Sequence, residues 1–195
     1  MRRLFRPDCP NPVALRTNYK HPDNKNALQN CSHGKCMYCE SRVSHVYFGD
    51  VEHIRPKAAD KFPELEFEWS NHGYCCARCN NEKRDEFDND CPLIDPYSED
   101  PDNHLLAFGA ILRHKAGSER GALTISTIGL NRPELIEQRS IRINDLQNAI
   151  DACYRSSSRN IRDILLSALV LESDEDKEFS MVAAALLAAN GLQMS

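Results

Sequence analysis

Apolar residues settle into helical spacing in the second half of this 195-residue chain. Ile143, Leu146, Ile150 and Cys153 follow at three- and four-residue steps and mark the buried face of one helix. Asn131, Pro133 and Glu134 read as its start: an N-cap, a proline near the first turn and an acid at the third helical position. A further helix is predicted over residues 159–171. Another follows Ser173, which has Asp176 three residues on, and ends near Gly191. The stretch reads as a small helical bundle.

The first half has a different rhythm. Residues 1–30 are Pro- and Asn-rich, with one short helix near residues 24–29. β-Branched and aromatic residues over 43–54 predict a strand, and 56–68 reads as loop. Residues 66–70 are a candidate second short strand, and the polar segment 80–87 a short helix. The apolar runs 105–113 and 122–128, joined by a polar, Gly-bearing connection, predict a hairpin.

Composition is that of an ordinary globular chain, 41% hydrophobic and 27% charged, which excludes disordered and collagen-like classes. The net charge of −5 argues against binding nucleic acid through bulk charge alone. That charge is uneven: +4 over residues 1–60, −7 over 61–101 and −2 over 102–195. The N-terminal residues are basic without an apolar h-region, so no secretory leader is expected. The longest nearly apolar run, 181–189, is too short to span a bilayer. A cytoplasmic location with reduced thiols follows as an expectation. There, nine cysteines are better explained by metal than by disulfides.

Two CxxC pairs, Cys36–Cys39 and Cys76–Cys79, have the spacing with which paired turns hold one tetrahedral Zn²⁺. Cys75 blurs the register, although its spacing to Cys79 is poorer. Cys31 and His33 are the alternative ligands near the first pair. Cys9, Cys91 and Cys153 read as small apolar residues. The 36 residues between the pairs exceed a minimal ribbon. They carry Glu52-His53-Ile54-Arg55-Pro56-Lys57 and Trp69-Ser70-Asn71, and Asn80 and Lys83 follow Cys79.

This ordered set resembles the HNH endonuclease family over residues 36–83. The resemblance implies an α+β chain with a ββα-metal (His-Me finger) core and a Cys₄ structural zinc, followed by the hairpin and the C-terminal helices. Residues 1–100 would be the nuclease unit, with its core at 36–87, and residues 101–195 the hairpin and helical region. An uncharged imidazole suits His53 to the role of general base. Asn71 matches the central Asn that orients the base. Glu52 and Asn80 match the ligands of one catalytic ion. Their hard oxygen donors favour Mg²⁺ or Mn²⁺. Strand alternation alone would send Glu52 and His53 to opposite faces; in the family the strand ends there and both reach the site. Arg55, Lys57 and Lys83 are candidate phosphate contacts. Asn80 makes the motif H-N-N, and Glu replaces the more usual Asp beside the base.

The contexts of both CxxC pairs, LIDPY and TISTIGLNRPELIEQR are similar to a narrower group, the HNH subunits of Septu-type and retron-associated bacterial anti-phage systems. That likeness implies an SMC- or ABC-like ATPase partner and a role in defence, with DNA the favoured substrate. The deficit of positive charge points to a phosphate grip shared with a partner or with further copies of the chain. Two competing readings are a non-catalytic zinc-ribbon binding module and an adaptor that docks an ATPase through its helices.

Overall fold

A computed structural model describes residues 1–43 and 49–192. The predicted strand over 43–54 falls partly on residues 44–48, outside the described residues. Within them, strand β1 is Asp50–His53. It pairs antiparallel with β2, His72–Cys75, so that Asp50 faces Cys75 and His53 faces His72. The second strand expected at 66–70 therefore lies further on. The Glu68 side chain accepts from the Ser70 N–H and turns Trp69–Asn71 into a single 3₁₀ turn, so the chain reaches the sheet only at His72. All four residues of β2 are buried.

Short helices α1 (Pro12–Leu15) and α2 (Pro22–Cys31) precede this hairpin, α2 being longer than predicted at both ends. Helix α3, Ala77–Lys83, follows it directly. It begins earlier than the predicted 80–87 because the Cys76 sulfur caps it, accepting from the Cys79 N–H at 3.4 Å. It ends at Arg84, whose φ is +50°. Asn80 therefore sits inside the helix and does not cap it.

The predicted pairing of residues 105–113 with 122–128 does not form; the hairpin found here folds the first run back on itself. Strands β3 (Leu105–Phe108) and β4 (Ile111–His114) both lie within or next to the first apolar run, and they turn at Gly109, whose φ is +58°. Residues 122–128 are helical instead, within α4 (Glu119–Ile128). The local signals explain why. Ser118 accepts from the Gly121 N–H at 3.1 Å as N-cap, and Gly129 closes the helix in the left-handed region. Gly121, Thr124 and Ile128 then share the buried face at three- and four-residue steps.

Helix α5 (Pro133–Tyr154) buries Leu135, Leu146, Ile150 and Cys153. Its N-cap position is Arg132, not Asn131. The Asn131 amide instead accepts from Leu112 N at 2.9 Å and donates to Leu112 O at 2.8 Å, satisfying β4 as a neighbouring strand would. Helix α6 (Arg159–Val170) ends one residue short of expectation. Helix α7 (Ser180–Ala189) starts later than predicted. The acidic segment after Ser173 does not serve a helix dipole; it receives basic groups. The Lys35 ammonium donates to the carbonyls of Glu175 and Lys177, and Glu178 accepts from the Arg42 N–H at 2.8 Å.

One hydrophobic core joins the parts. It runs from Leu4, Leu28 and Tyr38 through Val51 and Tyr74 to Leu105, Ile128, Phe179 and Val182. Both sides of the expected division at residue 100 contribute to it. Among the described residues, no helix is long and apolar enough to cross a membrane.

Gly121 sets how closely α4 approaches the hairpin. A Cβ there would lie 2.6 Å from the His104 carbonyl oxygen. Gly→Ala in a helix interior ordinarily stabilises by about 1 kcal/mol. Here Gly121→Ala is expected to destabilise, by roughly 1–3 kcal/mol through overpacking, as measured by denaturant unfolding.

Candidate active site and metal centre

Four thiols converge where the turn at residues 36–39 meets the start of α3. The sulfurs of Cys36, Cys39, Cys76 and Cys79 all lie within 4.8 Å of one another, and the Cys39 and Cys76 sulfurs are 3.9 Å apart. A tetrahedral ion with Zn–S bonds of about 2.3 Å needs sulfurs about 3.8 Å apart, so this set fits zinc. Cys75, one residue away in register, lies on β2 with its thiol directed at Glu52, 4.0 Å from Oε2. Cys31 bonds to the Leu28 carbonyl and, with His33, stands outside the cluster. From the N-cap of α5, Arg132 directs both terminal nitrogens at the Cys79 sulfur, at 3.6 and 3.7 Å. Four thiolates around Zn²⁺ would carry a net charge of −2, half of which this guanidinium offsets.

His53 ends β1, and its Nε2 lies 3.0 Å from the Glu66 carbonyl oxygen. His72, directly across the ladder, places its Nε2 2.9 Å from the same oxygen. A carbonyl only accepts, so both imidazoles carry their proton on Nε2. The lone pair of neutral His53 is therefore on Nδ1. Burial pushes the His53 imidazole below its ordinary value, and the Glu66 carbonyl partly opposes this. The two rings pack edge to face at 4.8 Å, and Tyr19 covers His53 at 4.6 Å.

Asn71 is buried and holds the frame of this arrangement. Its Oδ1 accepts from Arg55 N at 2.8 Å, and its Nδ2 donates to Arg55 O at 2.9 Å and Leu65 O at 3.2 Å. One amide thus ties the segment just after His53 to the residue just before Glu66. Asn71 does not touch His53; it sets where the carbonyl that orients His53 stands.

Strand β1 faces α3 with Asp50 and Glu52, as its alternation requires. Asn80 and Lys83, three residues apart, meet them from the helix. Asn80 Nδ2 donates to Asp50 Oδ2 at 3.3 Å. Lys83 Nζ lies 2.8 Å from Glu52 Oε1 and donates to the His53 carbonyl at 2.9 Å. Glu52 and Lys83 are both buried, at 2% and 1% exposure. Lys83 therefore does not stand free for a phosphate. Its charge answers a carboxylate that would be costly to bury alone. Glu52 also receives the Tyr38 hydroxyl at 3.3 Å.

A cleft of about 280 Å³ opens between these elements, its lining including Tyr19, Asp50, Glu52, His53, Lys57, Asn80 and Arg84, of which Glu52 is almost fully buried. Lys57 pairs with Glu66 at 2.7 Å and lies over the Tyr19 ring. Arg55 is exposed, its guanidinium 5.7 Å from both Phe62 and Phe87. The sequence reading passed over Asp50 and His72. Asp50 was detectable, since it shares a strand face with Glu52. His72 was not, because only the β1–β2 register places it against His53.

Purified protein is expected to carry one zinc per chain by elemental analysis. Cys39→Ser and Cys79→Ser should lose it, while Cys75→Ser and Cys153→Ser retain it. His72 supplies a second test. Burial, first among its causes, pushes its imidazole down to about 4 from the ordinary 6.5. Between these values the unfolded chain binds more protons, so stability falls as pH drops from 6.5 towards 4. The stability gap between the wild type and His72→Gln should narrow by on the order of 2–3 kcal/mol from pH 7 to pH 4, read by denaturant unfolding.

Residues 36–86 match the HNH endonuclease family. Over 158 residues the chain is 28% identical to the Septu protein PtuB of Bacillus mycoides strain KBAB4, covering 66% of this chain and 54% of that protein. It is 29% identical over 185 residues to the Septu protein PtuB of Bacillus thuringiensis, covering 87% and 70%. The chain spans about half the length of the first of these relatives. The matched segment holds the four clustered thiols and the β1, β2 and α3 residues of the cleft, while Tyr19 reaches the cleft from outside it. Residues 36–86 are an HNH endonuclease domain, set in a chain similar to the Septu PtuB proteins.

Proposed function

We propose that the chain is a metal-dependent nuclease that hydrolyses phosphodiester bonds of nucleic acid, DNA foremost, as the effector of an anti-phage complex with an SMC- or ABC-like ATPase. The observation that carries the catalytic part is His53. Its Nε2 is committed to the Glu66 carbonyl, and its neutral Nδ1 belongs to a residue that lines the cleft. That is the protonation state a general base needs.

In this reading Nδ1 of His53 takes a proton from the water that attacks phosphorus, and the 3′ or 5′ oxygen leaves. The Glu66 carbonyl stabilises the resulting imidazolium through the Nε2 proton. Asn71 keeps that carbonyl in place by holding Leu65 and Arg55 together. Lys57 lines the cleft, and with exposed Arg55 two residues before it would bear on the phosphate backbone. The donors fit a hard cation: the amide of Asn80 gives its NH₂ to Asp50, so its carbonyl oxygen remains available beside two carboxylates. Mg²⁺ or Mn²⁺ held by Asn80 with Asp50 or Glu52 would neutralise charge on the phosphate and the leaving oxygen. Asp50 is the half-buried carboxylate of the pair, whereas Glu52 is already engaged by Lys83.

The defence role and the ATPase partner rest on the similarity to the Septu proteins and on charge. Net negative chains grip DNA poorly, and the positive balance here is confined to residues 1–60. A cytoplasmic setting accords with the free cysteines.

His53→Ala is expected to lower the cleavage rate by about 10²–10⁴-fold with zinc retained. Undiminished turnover would instead favour a non-catalytic zinc module. The acid limb of the wild-type rate profile should lie below pH 6.5, because the base titrates below its ordinary value. Asp50→Asn should weaken Mn²⁺ binding, read by electron paramagnetic resonance, more than Glu52→Gln does.

A further inference from the structure

The segment from Asn11 to Asn24 is a loop closed at its base. Asn24 is fully buried; its Oδ1 accepts from Asn11 N at 2.9 Å and its Nδ2 donates to Asn11 O at 3.0 Å. Between them the Asn18 carbonyl accepts from His21 N at 3.1 Å, and Asn18 Oδ1 accepts from Lys20 N at 3.0 Å. These two bonds make a β-turn with Tyr19 and Lys20 at its central positions. A third tether follows at once: Lys25 Nζ donates to the Gly49 carbonyl at 2.8 Å and fastens α2 to the residue before β1. The turn therefore stands at the cleft. Tyr19 and Lys20 line it together with Asn80, Asn81 and Arg84. Among the described residues they are the two lining positions outside the matched segment 36–86.

The half-buried Tyr19 ring meets His53 edge to face at 4.6 Å and lies 6.5 Å from Phe67. It also gathers cations. Lys57 Nζ is 4.3 Å from the ring centroid and Lys20 Nζ 5.6 Å. The ring quadrupole attracts both ammoniums, which repel each other. Glu66 answers the charge of Lys57. Lys20 is exposed, and its ammonium forms no salt bridge among the described residues. A ring packed on His53 for bulk alone would need neither lysine. Two ammoniums on one ring, at the mouth of a cleft that holds the base, suit an anion that reaches both.

We propose that the Tyr19–Lys20 turn is a phosphate-binding arm of the active site, supplied from outside the nuclease domain. Lys20 contacts a phosphate of the bound strand. Tyr19 is a positioning residue: its ring keeps the Lys20 and Lys57 ammoniums turned to the cleft. The proposal rests on the nuclease reading of that cleft. The chemistry recognised is the backbone phosphate, common to DNA and RNA.

Fluorescence anisotropy against salt concentration tests it, in the His53→Ala background so that the probe survives. The probes are a DNA duplex and a single-stranded RNA, each of about 20 nucleotides per strand. With whichever probe binds, Lys20→Ala is expected to weaken binding and to lower the slope of log K against log salt by about 0.7–0.9, the share of one phosphate contact. Lys20→Glu should weaken it further, and Lys20→Arg should keep the slope. Exposed Lys115, away from the cleft, should tolerate alanine without change. Tyr19→Ala should weaken binding and Tyr19→Phe should not. The loss from Tyr19→Ala should shrink when Lys20 is already alanine, since the ring acts through it. In cleavage by otherwise wild-type protein, Lys20→Ala should raise KM with kcat within about twofold. An unchanged slope in both Lys20→Ala and Lys20→Glu overturns the proposal, as does failure to bind either probe. Cleavage that needs His53 but is indifferent to Lys20→Glu overturns the arm and leaves the nuclease reading standing. Lys20-dependent binding without cleavage supports the arm and overturns the catalytic reading.

Discussion

The four-thiol cluster is the constraint on which the rest depends. A two-stranded hairpin of four-residue strands and a seven-residue helix cannot bury a core of their own. The cluster supplies what packing lacks. Cys36 and Cys39 hold the turn that leads towards β1, and Cys76 and Cys79 begin α3. Pinning both fixes α3 across β1, and only then do Asn80 and Lys83 stand opposite Asp50 and Glu52. Arg132 extends the same constraint to α5, so the helical half is anchored to the thiols as well as to the shared core.

The cleft divides its polar groups by burial. Glu52, Lys83 and Tyr38 form a closed buried set in which each charge has a partner. Asp50, Asn80, Lys57 and His53 remain at the opening. His53 and His72 show how little separates a structural imidazole from a reactive one. Both bind the Glu66 carbonyl through Nε2. His72 is fully buried, with Nδ1 unpartnered and out of reach, whereas His53 lines the cleft. The difference is one of position on the ladder, not of residue type.

Local signals read well where they were strong and short-ranged. The paired cysteines, the helix spacing from Ile143 to Cys153 and the helix at 159–170 were all legible. Errors arose where distant groups compete for a segment. Asn131 carries a cap signal but bonds to Leu112, and the segment after Ser173 carries a helix-start signal but gives its backbone carbonyls to Lys35 and the Glu178 carboxylate to the Arg42 backbone N–H. The run 122–128 was apolar enough for a strand. The Ser118 cap and the Gly129 stop, lying outside the run itself, decided for helix.

The sequence by itself determined which four thiols meet at the candidate metal centre, because ligand type and turn spacing are local properties. The tertiary structure decided how the groups of the cleft are used. Which of Asp50 and Glu52 stands at the opening, and why Lys83 is unavailable, depends on where α3 crosses β1. Which nitrogen of His53 holds its proton depends on a backbone carbonyl in a loop 13 residues away. A carbonyl has the same chemistry at every residue, so no residue pattern announces it; only the folded position of Glu66, set by Asn71, gives it that role.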